Sequence, residues 1–346
     1  MSLLKRPHTL VDIARELGLS HSTVSRALND HPRIHADTKA RVREAAALAG
    51  YVVNSSARSL RGEPSSLVGL VVPEIRNLFY TDVSRQVAET LVQSTLQLVL
   101  AVTSDDPARE YQQVRALAEA RAAGVILVPS IAPMSETLRL LASMNVIQLF
   151  RRDRRLKADS LRLDDLDATW QATRHLIDLG HARIAYLGTE ANRSTGAGRL
   201  KGFDKACRSA GLKIPDRHIT LGPGDAAFGE HGMKTLFAGR HRPTAVVVGG
   251  VEQVLGCLAW VKRQGMSVPQ DLSIVGFGDS PWFELVHGGM TTMRLPVAEV
   301  ADAAARLVLE RAASRESKPV ELTFSSQLVV RGSTGAPPRS VLITRP

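Results

Sequence analysis

Short apolar runs recur along most of this chain, spaced so that one helix fits between each pair. They lie at 67–72 (LVGLVV), 96–102 (LQLVLAV), 124–128 (GVILV), 146–150 (VIQLF), 183–187 (RIAYL), 245–248 (AVVV) and 273–277 (SIVGF). Runs this short, separated by helical patterns, read as buried strands. Alternating strands and helices imply parallel sheets made of βαβ units. Seven such strands fit two doubly wound sheets better than one. A ligand of such a body belongs in the crevice beyond the strand carboxyl ends.

The first sixty residues follow a different rule. Thr9 and Asp12 form a capping pair ahead of Leu10, Ile13, Ala14 and Leu17, which recur at helical spacing. Gly18 stops that helix, and Ser20 is the N-cap candidate for a second, from about 20 to 29. Two helices across so tight a turn predict a helix-turn-helix. A third helix, about 36 to 49, is expected to turn Val42, Ala45 and Leu48 inward and to end at Gly50. The start of the second helix enters the major groove in such units, so Ser20, His21, Ser22, Thr23, Ser25 and Arg26 are candidate DNA contacts. Arg26 can donate two parallel hydrogen bonds to guanine. The charge agrees: the chain carries a formal +10, and residues 1–61 hold ten basic against five acidic side chains.

The segment Thr9 to Asn29 (TLVDIARELGLSHSTVSRALN) resembles the DNA-reading head of LacI-family regulators. The likeness continues through Ala49–Tyr51 and 54–61 (NSSARSLR), and reaches about residue 335 through 68–80, 176–188, 199–203 and 271–280. By this resemblance His21 and Ser22 sit at variable base-reading positions and Arg26 at a more constant one. It implies a hinge helix at Asn54–Arg61 that folds when two subunits meet on operator DNA. Leu60 would then wedge into the minor groove beside Arg58 and Arg61. Ala57 is small enough for the paired helices to approach, and Asn54 and Arg61 match positions facing DNA.

The organisation expected is an α-helical head at 1–51, a hinge and linker at 52–64, a two-lobed periplasmic-binding-protein-like α/β domain at 65–335, and a tail at 336–346. The first lobe should comprise about 65–164 and 294–324, the second about 165–293 and 325–335. The tail carries no heptad, so a homodimer on a pseudo-palindromic operator is expected, without the coiled tetramerisation helix of some relatives.

The resemblance also implies an effector site. Arg199 matches a ligand-clamping arginine, Asp164 and Asp165 a lobe-boundary pair, and Phe79 and Tyr80 ring-lining positions. The chain departs from its relatives elsewhere: Gly249-Gly250-Val251 stands where Ala-Asn-Asp is usual, and Gly278 where an aspartate is usual, leaving Asp279. Those glycines are expected to enlarge the pocket and to expose backbone N–H groups. Arg151, Arg152, Arg154 and Arg155 follow the strand ending at Phe150. Together these favour an anionic, carbohydrate-derived effector, such as a sugar acid or phosphorylated metabolite, at Arg151, Arg199, Gly250 and Asp279. The arginine run reads equally well as a solvated loop.

Other classes fit poorly. No G-x-S-x-G, H-E-x-x-H or Cys/His nucleophile arrangement is present, so no enzyme, metal or cofactor is expected. Asp105 and Asp106 before Pro107 read as a helix-start cap, and His175 and His181 as cap or packing residues. Cys207 and Cys257 cannot build a disulfide framework. A signal peptide and a run of about 18 apolar residues are both lacking, which predicts a cytoplasmic protein without a membrane partner. A solute-binding protein with no DNA role would not need the head.

Overall fold

The computed structural model describes residues 8–28, 30–51, 65–286, 288–314 and 318–338. The chain divides into two compact units, Met1–Ser65 and Ser66–Pro346.

In the first unit, α1 (Leu10–Leu17) starts at a capping box. The Asp12 amide donates to Thr9 Oγ1 at 3.3 Å, and the Thr9 amide donates back to Asp12 Oδ2 at 2.9 Å. Gly18 ends the helix at φ +64°, a conformation that costs glycine little. Helix α2 (His21–Leu28) begins where the Thr23 amide donates to Ser20 Oγ at 3.1 Å. Helix α3 (Ala36–Leu48) completes a core of Ile13, Ala14, Val24, Ala27, Val42, Ala45 and Ala46. Leu48 corrects one expectation: it is 84% exposed. Helical positions that share a face with Val42 are 45, 46 and 49, and 48 falls outside that stripe.

The second unit holds two six-stranded sheets. The first contains β1 (Leu67–Val72), β2 (Gln97–Val102), β3 (Gly124–Leu127), β4 (Val146–Leu149), β5 (Asp159–Leu163) and β11 (Glu321–Phe324), in the order β11-β5-β4-β3-β1-β2, all parallel. The second contains β6 (Ile184–Thr189), β7 (Ile219–Gly222), β8 (Ala245–Val248), β9 (Ser273–Phe277), β10 (Thr291–Arg294) and β12 (Gln327–Val329), in the order β12-β10-β9-β8-β6-β7. Only β12 runs antiparallel to its neighbour. Each sheet therefore repeats one doubly wound order. Its switch point lies between β1 and β3 in the first sheet and between β6 and β8 in the second.

Helices cover the sheets: α4 (Leu78–Leu91), α5 (Pro107–Glu119), α6 (Ser135–Leu141) and α11 (Val297–Ala313) in the first half, and α7 (Asp165–Asp178), α8 (Ser194–Ser209), α9 (Ala226–Leu236) and α10 (Val251–Arg263) in the second. The chain crosses between sheets three times, after β5, after β10 and after β11. All seven apolar runs are strands. The five further strands are the more polar ones, β5, β7, β10, β11 and β12. A buried clamp ties the first half together, with Arg311 of α11 donating Nε and Nη2 to the two oxygens of Asp159, each at 2.8 Å. Among the described residues no helix is long and apolar enough to cross a membrane.

Candidate functional sites: a helical reading face and a charged cavity

The core of the first unit decides what α2 presents outward. Val24 and Ala27 are buried against α1 and α3, which leaves His21, Ser22 and Arg26 exposed on the opposite side. Thr23 and Ser25 are half-buried. The Ser20 hydroxyl lies 2.9 Å from that of Ser22 and 2.8 Å from that of Thr23, so Ser20 and Thr23 organise the start of the helix. Beyond the turn, Asp30 takes up two cations of α3, with Lys39 Nζ at 2.9 Å and Arg43 Nη2 at 3.0 Å. The hinge candidates Asn54, Ala57, Arg58, Leu60 and Arg61 lie outside the described residues.

In the second unit a cavity of about 750 Å³ opens where the strand carboxyl ends of both sheets meet. Its lining comes from the ends of β5 and β6, from the segments after β1, β2, β4, β7, β8 and β10, and from α8 and the segment before it. Five sequence candidates reach it: Phe79, Tyr80, Arg151, Arg199 and Gly250. Asn77 caps α4 by accepting from the Phe79 amide at 3.0 Å, and the Phe79 ring rests 4.7 Å from Phe150 and 5.1 Å from Tyr80. Burial pushes the Tyr80 phenol above its usual range.

Arg199 is held from three sides. Its Nε donates to Asp165 Oδ1 at 2.7 Å, its Nη1 donates to the Gly249 carbonyl, and its guanidinium lies 4.4 Å from the centre of the Phe277 ring. Gly202 allows this placement, since a Cβ there would lie 2.2 Å from the Leu166 carbonyl oxygen and hold α8 off α7. Burial raises the Asp165 carboxyl even though Arg199 opposes it.

Four expectations need correction. Asp164 caps α7, accepting from the Asp167 amide at 3.0 Å, and does not line this cavity. Asp279 lines a smaller neighbouring cavity of about 390 Å³, where Arg294 and Arg331 each reach it at 2.7 Å. Of the arginine run only Arg151 faces the larger cavity: Arg152 bonds Glu321 at 2.8 Å, and Arg155 bonds Asp153 Oδ1 at 3.0 Å. The glycines, finally, do not leave open space. A Cβ on Gly249 would lie 2.5 Å from the Tyr186 hydroxyl, and one on Gly250 would lie 2.5 Å from Gln253 Oε1. The Gly249 and Gly278 amides are already bonded to the Leu187 and Met293 carbonyls, at 2.7 and 3.0 Å.

Residues that the sequence did not single out complete the lining. Its charged members are Arg76, Arg151, Arg193 and Arg199 against Glu74, Asp105, Asp225 and Glu252, a formal balance. Hydrogen bonds from Arg76 hold the Glu74 carboxyl down at about 2, whereas burial and then Glu74 itself raise that of Glu252. Asp106 caps α5, accepting from the Ala108 amide at 2.8 Å, while Asp105 turns into the cavity and bonds both Arg151 and Arg193. Among the described residues no histidine or cysteine lines either cavity. His181 instead bridges Thr244 at 2.9 Å and Ser273 at 3.1 Å, and His175 meets Thr334 at 2.9 Å, both as packing residues.

Known proteins share both parts. Residues 9–54 match the family described as bacterial regulatory proteins, lacI family, and residues 173–334 match a periplasmic binding protein-like domain. The HTH-type transcriptional regulator GalR of Escherichia coli K12 is 30% identical over 330 residues, covering 95% of this chain and 96% of GalR. Among solved structures, a transcriptional regulator CelR–cellobiose complex matches with TM-score 0.71 at 25% identity, over 94% of this chain and 99% of that one. The lac repressor dimer bound to operator and the anti-inducer ONPF matches with TM-score 0.82 at 22% identity, over 96% of this chain and all of that one, a likeness of fold. A capped three-helix head with an exposed reading face, a two-sheet body around a charged cavity, and a relative at this identity along nearly the whole length together place the chain in the LacI family of DNA-binding transcriptional regulators.

Proposed function

We propose that this regulator is a cytoplasmic repressor that binds a pseudo-palindromic operator as a homodimer and answers to a carbohydrate-derived effector held in the larger cavity. The observation that carries the reading is the cavity itself. It is lined by four arginines and four carboxylates, it lies at the strand carboxyl ends of both sheets, and its aromatic wall of Phe79, Tyr80 and Phe150 comes from the first half of the body while Arg199 comes from the second. A ligand bridging two such walls binds one relative placement of the lobes better than another. It can therefore couple to DNA binding by about 1–3 kcal/mol.

For the head, the reading assigns His21, Ser22 and Arg26 to base edges, and Asn54, Arg58, Leu60 and Arg61 to the minor groove as a hinge around Ala57. For the dimer, it assigns the edge strand β2, whose Val99 and Leu100 are exposed, to the contact between bodies.

The test begins with selection of an operator from random duplexes, followed by fluorescence anisotropy with and without candidate sugars. The expected result is a palindromic consensus, a slope of log affinity against log salt that reports several phosphate contacts, and an affinity shift with one sugar class. Affinity indifferent to sequence would refute the reading of the head. A cavity ligand that leaves operator affinity unmoved would refute the reading of the body.

A further inference from the structure

Asp105 is held unusually for a residue beside a helix start. Ser104 and Asp105 both have positive φ, +55° and +59°, and Phe150 across the cavity has +61°. Non-glycine residues adopt this region rarely, Phe150 least readily of the three, and persist there where the surroundings enforce it. Here the two strained turns aim two side chains at each other. The turn after β2 sends the Asp105 carboxylate into the cavity, and the turn after β4 sends Arg151 toward it.

Arg151 grips both carboxylate oxygens, with Nη1 on Oδ1 and Nη2 on Oδ2 at 3.3 Å. Arg193, from the second half of the body, donates Nη1 to Oδ2 of the same carboxylate. One carboxylate thus joins an arginine of each lobe. Burial alone would raise the Asp105 carboxyl, but Arg151 and Arg193 outweigh it and hold it below the ordinary range.

We propose that Asp105 is a built-in stand-in for the effector: it fills from within the chain a carboxylate-or-phosphate subsite walled by Arg151 and Arg193, and an oxyanion on the effector binds by displacing it. This rests on the reading of the cavity as the effector site. Two guanidinium groups converging on one group match the way arginine grips planar or tetrahedral oxyanions. The exchange conserves charge, whereas a neutral sugar in its place would take from Arg151 and Arg193 the carboxylate they share, leaving Arg193 its Glu190 and Arg151 a carbonyl. It is also accessible, because the Asp105 side chain remains 21% exposed and can return its charge to water. Both arginines keep partners meanwhile: Arg193 Nε donates to Glu190 at 2.9 Å, and Arg151 donates to the Pro129 carbonyl at 3.2 Å. The ligand-free lobes are then held together by the latch, and the effector's apparent affinity is its intrinsic affinity multiplied by the fraction of time the latch is open.

The test is chemical rescue in the full-length protein. Asp105→Ala should melt at a lower temperature than wild type in sodium chloride. It should recover most of that loss in sodium acetate or inorganic phosphate at matched ionic strength, at concentrations at least tenfold below any that shift wild type. The better rescuer identifies the oxyanion as carboxylate or phosphate. Asp105→Ala with Arg193→Gln should show no rescue. Asp105→Asn, nearly isosteric, carries the same comparison if the alanine variant does not fold. A variant that gains no more from either anion than wild type overturns the proposal. Operator affinity measured in the same buffers separates the two readings: rescue without any change in operator affinity keeps the anion subsite and sinks the effector role of the cavity.

Discussion

Gly249→Ala probes why the C-terminal end of β8 carries glycines. Gly249 is not among the glycines with positive φ, so its backbone suits alanine. An alanine at an ordinary backbone position stabilises by about 0.4–1 kcal/mol, because the unfolded chain loses freedom. Here the new Cβ would sit 2.5 Å from the Tyr186 hydroxyl, 3.1 Å from Cζ and 3.2 Å from Cε2. The ring cannot yield, since Tyr186 is fully buried and stacked on Phe203 at 5.2 Å. Overpacking of a rigid core costs about 1–3 kcal/mol. The net expectation is a loss of roughly 0.5–2 kcal/mol.

Tyr186→Phe removes the 2.5 Å clash and leaves contacts that a few tenths of an ångström relieve. In that background Gly249→Ala should be neutral or slightly stabilising, a coupling of about 1–2 kcal/mol. Urea unfolding followed by tryptophan fluorescence reads the body alone, because Trp170, Trp260 and Trp282 all lie there. Equal costs in the Tyr and Phe backgrounds would show that the ring is not what the glycine accommodates.

Three further outcomes follow from the same physics. Arg26→Ala should weaken binding to a selected operator by about 1–3 kcal/mol and relax the consensus at one position, read by anisotropy on operator variants; a uniform loss on all sequences would make it a phosphate contact. Asp159→Asn should cost about 3–5 kcal/mol in urea unfolding, because one amide oxygen remains for the three N–H donors now on the carboxylate, from Arg311 and Val320, and the largely buried Arg311 loses its counter-charge and faces an NH2. Burial holds the imidazoles of His175, His181 and His218 below the ordinary value of 6.5. The unfolded chain therefore binds more protons. The stability these groups contribute is complete above 6.5 and is lost as pH falls through that value towards their folded values. Melting temperatures at pH 7.5, 6.5 and 5.5 should fall in that order, and less steeply in His181→Gln.

What the sequence made legible was local or continuous. Thr9 and Asp12, Gly18, and Ser20 and Thr23 are near neighbours in the chain, so the head's caps and turn could be read directly. Six of the seven recognised strands are apolar because a parallel strand covered on both faces has no polar side, and the seventh, the edge strand β2, is apolar although Val99 and Leu100 are exposed. The missed strands break that pattern. Strand β10 begins Thr291-Thr292, both fully buried, and it survives there because Thr291 Oγ1 donates to the Arg331 carbonyl at 2.9 Å and Thr292 donates to that of Gly278. Strands β7, β11 and β12 lie at or next to sheet margins, where burial on two faces is not required.

Charges were the least legible, because a charge's partner is a long-range fact. Arg152 looks free for a ligand until Glu321, 169 positions away, is folded against it. Asp105 and Asp106 are adjacent and identical, and only one of them is the cap that Pro107 advertises. A left-handed pair at Ser104 and Asp105 rotates the other by one residue into the cavity, towards arginines 46 and 88 positions further on. Positive φ at the bulky Phe150, just before Arg151, is the physical sign that something distant enforces the turn. That sign exists only in the folded chain, and it is why the cavity's electrostatics, unlike the head's reading face, could not be inferred from residue order.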